Sequence, residues 1–135
     1  MRNKKSFTFI ELLLVVIIIS VLAAMVTPRM AGRSEEARRS VAKADIESNI
    51  PAALKMYEYD NGAYPTTDEG LQVLLTKTDT AKNWKGPYLE KKPVDPWKNL
   101  YQYRSPGDYR DDYDLFSLGR DGIESGDDVV NWEEE

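Results

Sequence analysis

The chain has 135 residues, no cysteine, no histidine and a formal charge of −5. Without cysteine a disulfide cannot staple the fold, and without histidine the commonest general base and zinc ligand are missing. Acids gather toward the C-terminus, twelve against four bases over residues 95–135, which disfavours a nucleic-acid partner and leaves a hard cation on oxygen ligands as the staple still open to a small domain.

The chain opens with a basic stretch, residues 1–6, carrying Arg2, Lys4 and Lys5. Residues 7–26 follow, almost wholly apolar, with one acid, Glu11. As a helix they would span roughly 30 Å, the thickness of a bilayer hydrocarbon core. A carboxylate within such a segment is costly and needs a partner or a function. A secretory signal fits poorly, since the apolar run is long and Val21-Leu22-Ala23 lacks a small residue two places before a cut. A plain membrane anchor fits the length and leaves Glu11 unexplained. Charge leaves topology open, because Arg29, Arg33, Arg38 and Arg39 follow the segment, partly offset by Glu35 and Glu36.

Pro28 predicts a break or kink. Beyond it, residues 34–59 read as an amphipathic helix with two apolar rows, Ala37, Val41, Ala44 and Ser48, and Ile46, Ile50, Leu54 and Tyr57. Asn61-Gly62 closes it, and Pro51 bends it or marks its last third. Thr66 or Thr67 caps a short helix through Leu75, and residues 77–82 read as loop. A connector rich in proline and aromatics leads to two short strands, residues 100–104 and 113–118, joined through Pro106-Gly107. The fold class is α+β: a long N-terminal helix, one half membrane-embedded and the other amphipathic, packed on a small domain with short antiparallel strands. Trp84, Trp97, Tyr88 and Tyr101 are expected to pack in core and turns.

Residues 117–132, SLGRDGIESGDDVVNW, concentrate Asp121, Glu124, Ser125, Asp127 and Asp128 among three glycines. Such oxygens suit a divalent cation. The spacing is not that of an EF-hand, because the third and twelfth positions from Asp121 are Ile123 and Trp132. On spacing alone, a solvated acidic loop and a cation site stay equally open. Acid pairs such as Asp111 and Asp112 point to no catalytic cleft, and no enzyme activity is expected.

The start, KKSFTFIELLLVVIIISVLA, resembles type IV pilins and pseudopilins. The ordered series YPTTDEGLQVLL, WKGPYL, PVDPW, YQYRSPG, DYDLFSLGRDG and a closing NW is similar to the major pseudopilins of type II secretion systems. The resemblance implies a leader of residues 1–6, a transmembrane and filament-core helix at residues 7–27, and a periplasmic domain at residues 28–135. It implies cleavage between Ser6 and Phe7, with Ser6 where the family usually has Gly, and N-methylation of Phe7. Phe7, Glu11 and Pro28 would be assembly residues, Glu11 meeting the Phe7 ammonium of its own or a neighbouring subunit. One structural calcium ion would be held by the backbone oxygens of Leu118 and Val130 with Asp121, Ser125 and Asp128, Asp127 being the alternative to Asp128. The implied function is a structural subunit of a periplasmic filament that exports folded proteins across the outer membrane. The implied partners are further copies of the chain, minor pseudopilins, the inner-membrane assembly platform, a prepilin peptidase and, before assembly, lipid. Rival expectations are a pilin of a type IV or competence pilus and an anchored calcium-binding module that never polymerises.

Overall fold

The computed structural model describes residues 6–133, with the backbone alone described for residues 26–31. Two units divide between Ala37 and Arg38.

The first unit is helical. Thr8 caps it: the Glu11 N–H donates to the Thr8 carbonyl at 3.1 Å and to Thr8 Oγ1 at 3.3 Å. This occupies one of the unpaired N–H groups of a helix start, and Glu11 in the first turn sits favourably at the positive end of the helix dipole. Helix α1 runs Phe9–Ala44. The expected break at Pro28 is not seen: α1 continues through that position, because one missing hydrogen bond leaves the neighbouring turns closed. The Pro28 side chain lies outside the described residues, as do residues 1–5 of the expected leader. Large apolar side chains from Phe9 to Met25 are exposed all round the helix, from 45% at Leu13 to 81% at Phe9. Among the described residues no helix is long and apolar enough to cross a membrane. The expected apolar segment, residues 7–26, starts ahead of α1, and its last side chain is outside the description.

In the second unit α1 ends in a π-helical turn, Asp45–Asn49, and α2 follows as Ile50–Asn61. The N–H of Ile50 donates five residues back, to the Asp45 carbonyl. This wider turn lies immediately before Pro51, whose ring would otherwise crowd the carbonyl four residues earlier. Gly62, at φ 84°, closes α2 in the left-handed region and donates to the Glu58 carbonyl at 2.7 Å. Only one of the two apolar rows is core. Ile46, Ile50, Leu54 and Tyr57 are buried with Ala42 and Ala53, whereas Ala37, Val41, Ala44 and Ser48 are exposed.

Thr66 and Glu69 cap each other: the Thr66 N–H donates to Glu69 Oε2 at 2.8 Å and the Glu69 N–H to Thr66 Oγ1 at 3.3 Å. The expected helix through Leu75 is nevertheless cut to a 3₁₀ turn, Leu71–Leu74, because Gly70 takes φ 58°, ψ −164°, outside any helical region.

Strands β1 (Gln102–Arg104), β2 (Asp114–Ser117) and β3 (Val129–Val130) form an antiparallel sheet in that order, Tyr103 facing Leu115 and Phe116 facing Val130. Every residue of central β2 is buried. Asn131 extends the β2–β3 pairing: its N–H donates to the Leu115 carbonyl at 3.1 Å and its Oδ1 accepts the Leu115 N–H at 3.0 Å.

Ile46, Leu54, Val73, Leu74 and Leu115 fill the core at 0% exposure. The aromatics pin the connector to it. Trp84 donates to the Val73 carbonyl at 2.7 Å, Tyr101 to Asp45 at 2.8 Å, Tyr88 to Asp60 at 2.8 Å and Tyr103 to the Pro65 carbonyl at 2.7 Å. Each such buried bond contributes about 0.5–1.5 kcal/mol. The expected packing role of Trp84, Tyr88, Trp97 and Tyr101 is observed.

Candidate functional site

Residues 118–128 connect β2 to β3. Gly119 at φ 64° and Gly122 at φ 70° turn the chain where a Cβ would be strained. The result is a ring of acids. Asp121, Asp127 and Asp128 each place a carboxylate oxygen so that all three lie within 4.8 Å of one another. Ser125 sits among them: its hydroxyl contacts Asp121 Oδ2 at 3.4 Å and bonds Asp127 Oδ1, and its N–H donates to Asp128 Oδ2 at 3.2 Å. Leu118 and Val130 flank the loop, both half-buried.

Asp128 differs from its neighbours. It is 8% exposed, and its Oδ1 is buried with no hydrogen-bond partner among the described residues. Burial pushes its carboxyl above the usual range; the Ser125 N–H opposes this, and the charges of Asp127, Asp121 and Glu124 add to it. A buried, unpaired carboxylate oxygen beside two further carboxylates is unfavourable alone and suits a hard divalent cation. The donor set fits calcium. An open cleft lined by Tyr109, Glu124, Ser125, Asp128 and Trp132 reaches Asp128 from solvent, and Tyr109 stacks on Trp132 at 4.4 Å between centroids.

Other acids of the region have different work. Glu124 pairs with Arg104 at 3.1 Å and Asp112 with Arg110 at 3.0 Å. Asp114, at 0% exposure, accepts the N–H groups of Asp108, Tyr109 and Arg110. Asp127 and Asp128, the two expected alternatives, both place carboxylates in the ring, and the Asp127 carbonyl accepts from Arg39 of α1 at 2.8 Å. Sequence reasoning missed that helix-to-loop tie, and Arg39 carried no local signal for it.

At the other end of the chain, Phe7 is 82% exposed and Glu11 is exposed one helical turn beyond it. Ser6 is exposed next to the expected cleavage point.

Residues 29–132 match the family described as "Type II secretion system (T2SS), protein G", and residues 1–27 match the "Prokaryotic N-terminal methylation motif". The chain is 47% identical over 140 residues to type II secretion system core protein G of Pseudomonas aeruginosa, covering 98% of this chain and 97% of the relative. It is 43% identical over 139 residues to the core protein G of Vibrio cholerae, covering 98% and 94%. The crystal structure of the major pseudopilin from the type 2 secretion system of enterohaemorrhagic Escherichia coli matches at TM-score 0.67 and 35% identity, over 78% of this chain and 95% of that one.

Proposed function

The chain belongs to the type II secretion system protein G family, and on that premise we propose that it is a major pseudopilin, the repeating subunit of a periplasmic pseudopilus that helps move folded proteins across the outer membrane. Its role is structural rather than enzymatic. The observation that carries the reading is the helix from Phe9 to Met25, whose large apolar side chains are exposed on every side. A helix apolar all round is stable in lipid or among copies of itself, not in water. Before assembly the apolar sequence of residues 7–26 anchors the subunit in the inner membrane, with the domain in the periplasm.

A prepilin peptidase cuts between Ser6 and Phe7, and Phe7 is then methylated at its new amine. Thr8 remains to cap α1 after the cut, so the mature helix keeps its start. The subunits pack in a non-closing, head-to-tail contact, which builds a filament. Glu11 answers the Phe7 ammonium within the apolar packing, where an unpaired carboxylate would be costly. Minor pseudopilins and the inner-membrane assembly platform are the further partners, and energy comes from a separate ATPase.

The loop binds one structural calcium ion through Asp121, Asp128 and Ser125, the backbone oxygens of Leu118 and Val130, and Asp127 beside them. The ion neutralises the mutual repulsion of the acids. The buried Asp128 oxygen without a partner supports this assignment.

Glu11→Ala tests the assembly reading in the native host. The variant should still insert in the membrane and lose its leader, shown by intact mass, while filaments seen by electron microscopy of overproducing cells disappear. Filaments of normal length and number would overturn the pairing of Glu11 with Phe7.

A further inference from the structure

The proposed side-chain ligands Asp121, Ser125 and Asp128 all follow the loop entrance at Leu118 and Gly119. The entrance is held by a turn distant in sequence. Asp95 is 3% exposed. Its Oδ2 accepts the Ser117 hydroxyl at 2.6 Å, and its Oδ1 accepts the N–H groups of Trp97 at 3.0 Å and Asn99 at 2.8 Å. Ser117, at 0% exposure, has thereby given its one proton to Asp95, and its oxygen accepts the Gly119 N–H at 3.1 Å. Asn99 Nδ2 donates to the Gly119 carbonyl at 3.1 Å. A single buried carboxyl therefore organises two clamps on one glycine.

The geometry of the peptide bond makes this consequential. A trans peptide is planar, so its N–H and C=O point in opposite directions. Holding the Gly119 N–H against Ser117 sets the direction of the Leu118 carbonyl, the oxygen assigned to the cation. Holding the Gly119 carbonyl against Asn99 fixes the next peptide. Gly119 tolerates this because its φ of 64° suits glycine.

We propose that Asp95, Asn99 and Ser117 are positioning residues for calcium: they preset the Leu118–Gly119 peptide so that the loop entrance needs no reordering when the ion arrives. The inference rests on the calcium reading above. Supporting residues behind metal ligands typically account for about 10–100-fold in affinity. Calcium titration of the full chain in detergent, by isothermal calorimetry well below the unfolding temperature, reads the effect. Asn99→Ala and Ser117→Ala should each weaken calcium binding about 10–100-fold, and Ser117→Thr, which keeps the hydroxyl, should bind within a few-fold of the unaltered chain. Asn99 is only half-buried, so Asn99→Ala keeps the test sound where Ser117→Ala folds poorly. Unchanged calcium affinity in Asn99→Ala, even with a lowered metal-free melting temperature, overturns the inference and leaves the calcium reading standing. No calcium binding by the unaltered chain overturns both.

Discussion

The two ends of α1 and its continuation face opposite problems. From Phe9 to Met25 the helix exposes its large apolar side chains all round. From Ala42 to Tyr57 the chain buries one face, Ala42, Ile46, Ile50, Ala53, Leu54 and Tyr57 at 0–4% exposure, while Ala44, Ser48 and Met56 stay exposed. The second stretch finds its apolar surroundings inside its own unit. The first does not, and the assembly reading proposed above covers it with lipid or with further copies. On that reading, folding and assembly fall to different residues of α1 and its continuation.

That division can be broken most sharply in the core. Leu54→Ala removes a side chain at 0% exposure and should destabilise the folded unit by about 2–5 kcal/mol, read by denaturant unfolding of the detergent-solubilised chain. Ile18→Ala, at a position 49% exposed, should leave that midpoint unmoved. Equal effects would dissolve the distinction. A smaller effect comes from the loop: at calcium one hundred-fold above its dissociation constant, chelation should remove about 2.7 kcal/mol of stability. Asp128→Asn should abolish the calcium-dependent shift without lowering the metal-free melting temperature, because it removes a buried charge that Asp127, Asp121 and Glu124 repel. The smallest effect is a pH dependence confined to the second unit. The Tyr88 hydroxyl, and after it Lys85 against the opposing cost of burial, hold the Asp60 carboxyl below its ordinary value of 3.8. A lowered folded pKa adds stability that is present above about pH 3.8 and lost as pH falls through the lowered value. Tyr88→Phe should make the acid limb of the stability profile shallower.

Much of this was legible in the chain. The helical spacing of Ile46, Ile50, Leu54 and Tyr57, the Asn61-Gly62 stop and the two longer strands all follow from local periodicity and turn chemistry. The acids of residues 121–128 were visible as a cluster, and the fold brings three of them together. What escaped depends on distant contacts. Strand β3 has two residues, too few for any alternation, and exists only because β2 is there to pair with it. Asp95 and Asp114 stand in the sequence only as two of the twelve acids over residues 95–135, yet both are buried acceptors of backbone N–H groups, because burial is decided by the neighbours a residue meets. The second apolar row failed for the same reason: Val41 has helical spacing but nothing in its unit packs over it, and it is 54% exposed.

The π-helical turn before Pro51 has a consequence for how the chain can change in length. The core positions Ala42, Ile46, Ile50 and Leu54, spaced by four, outrun the 3.6 residues of an α-helical turn, drifting about 40° at each step. The wider closure from Ile50 back to Asp45 takes up that drift. It also means that the helix carries one residue of slack at Asp45–Asn49. Deleting exposed Ser48 would turn a five-residue closure into the ordinary four-residue one and leave the flanking turns intact. A point beside a proline, where a helix would be thought least forgiving, is where this one can lose a residue.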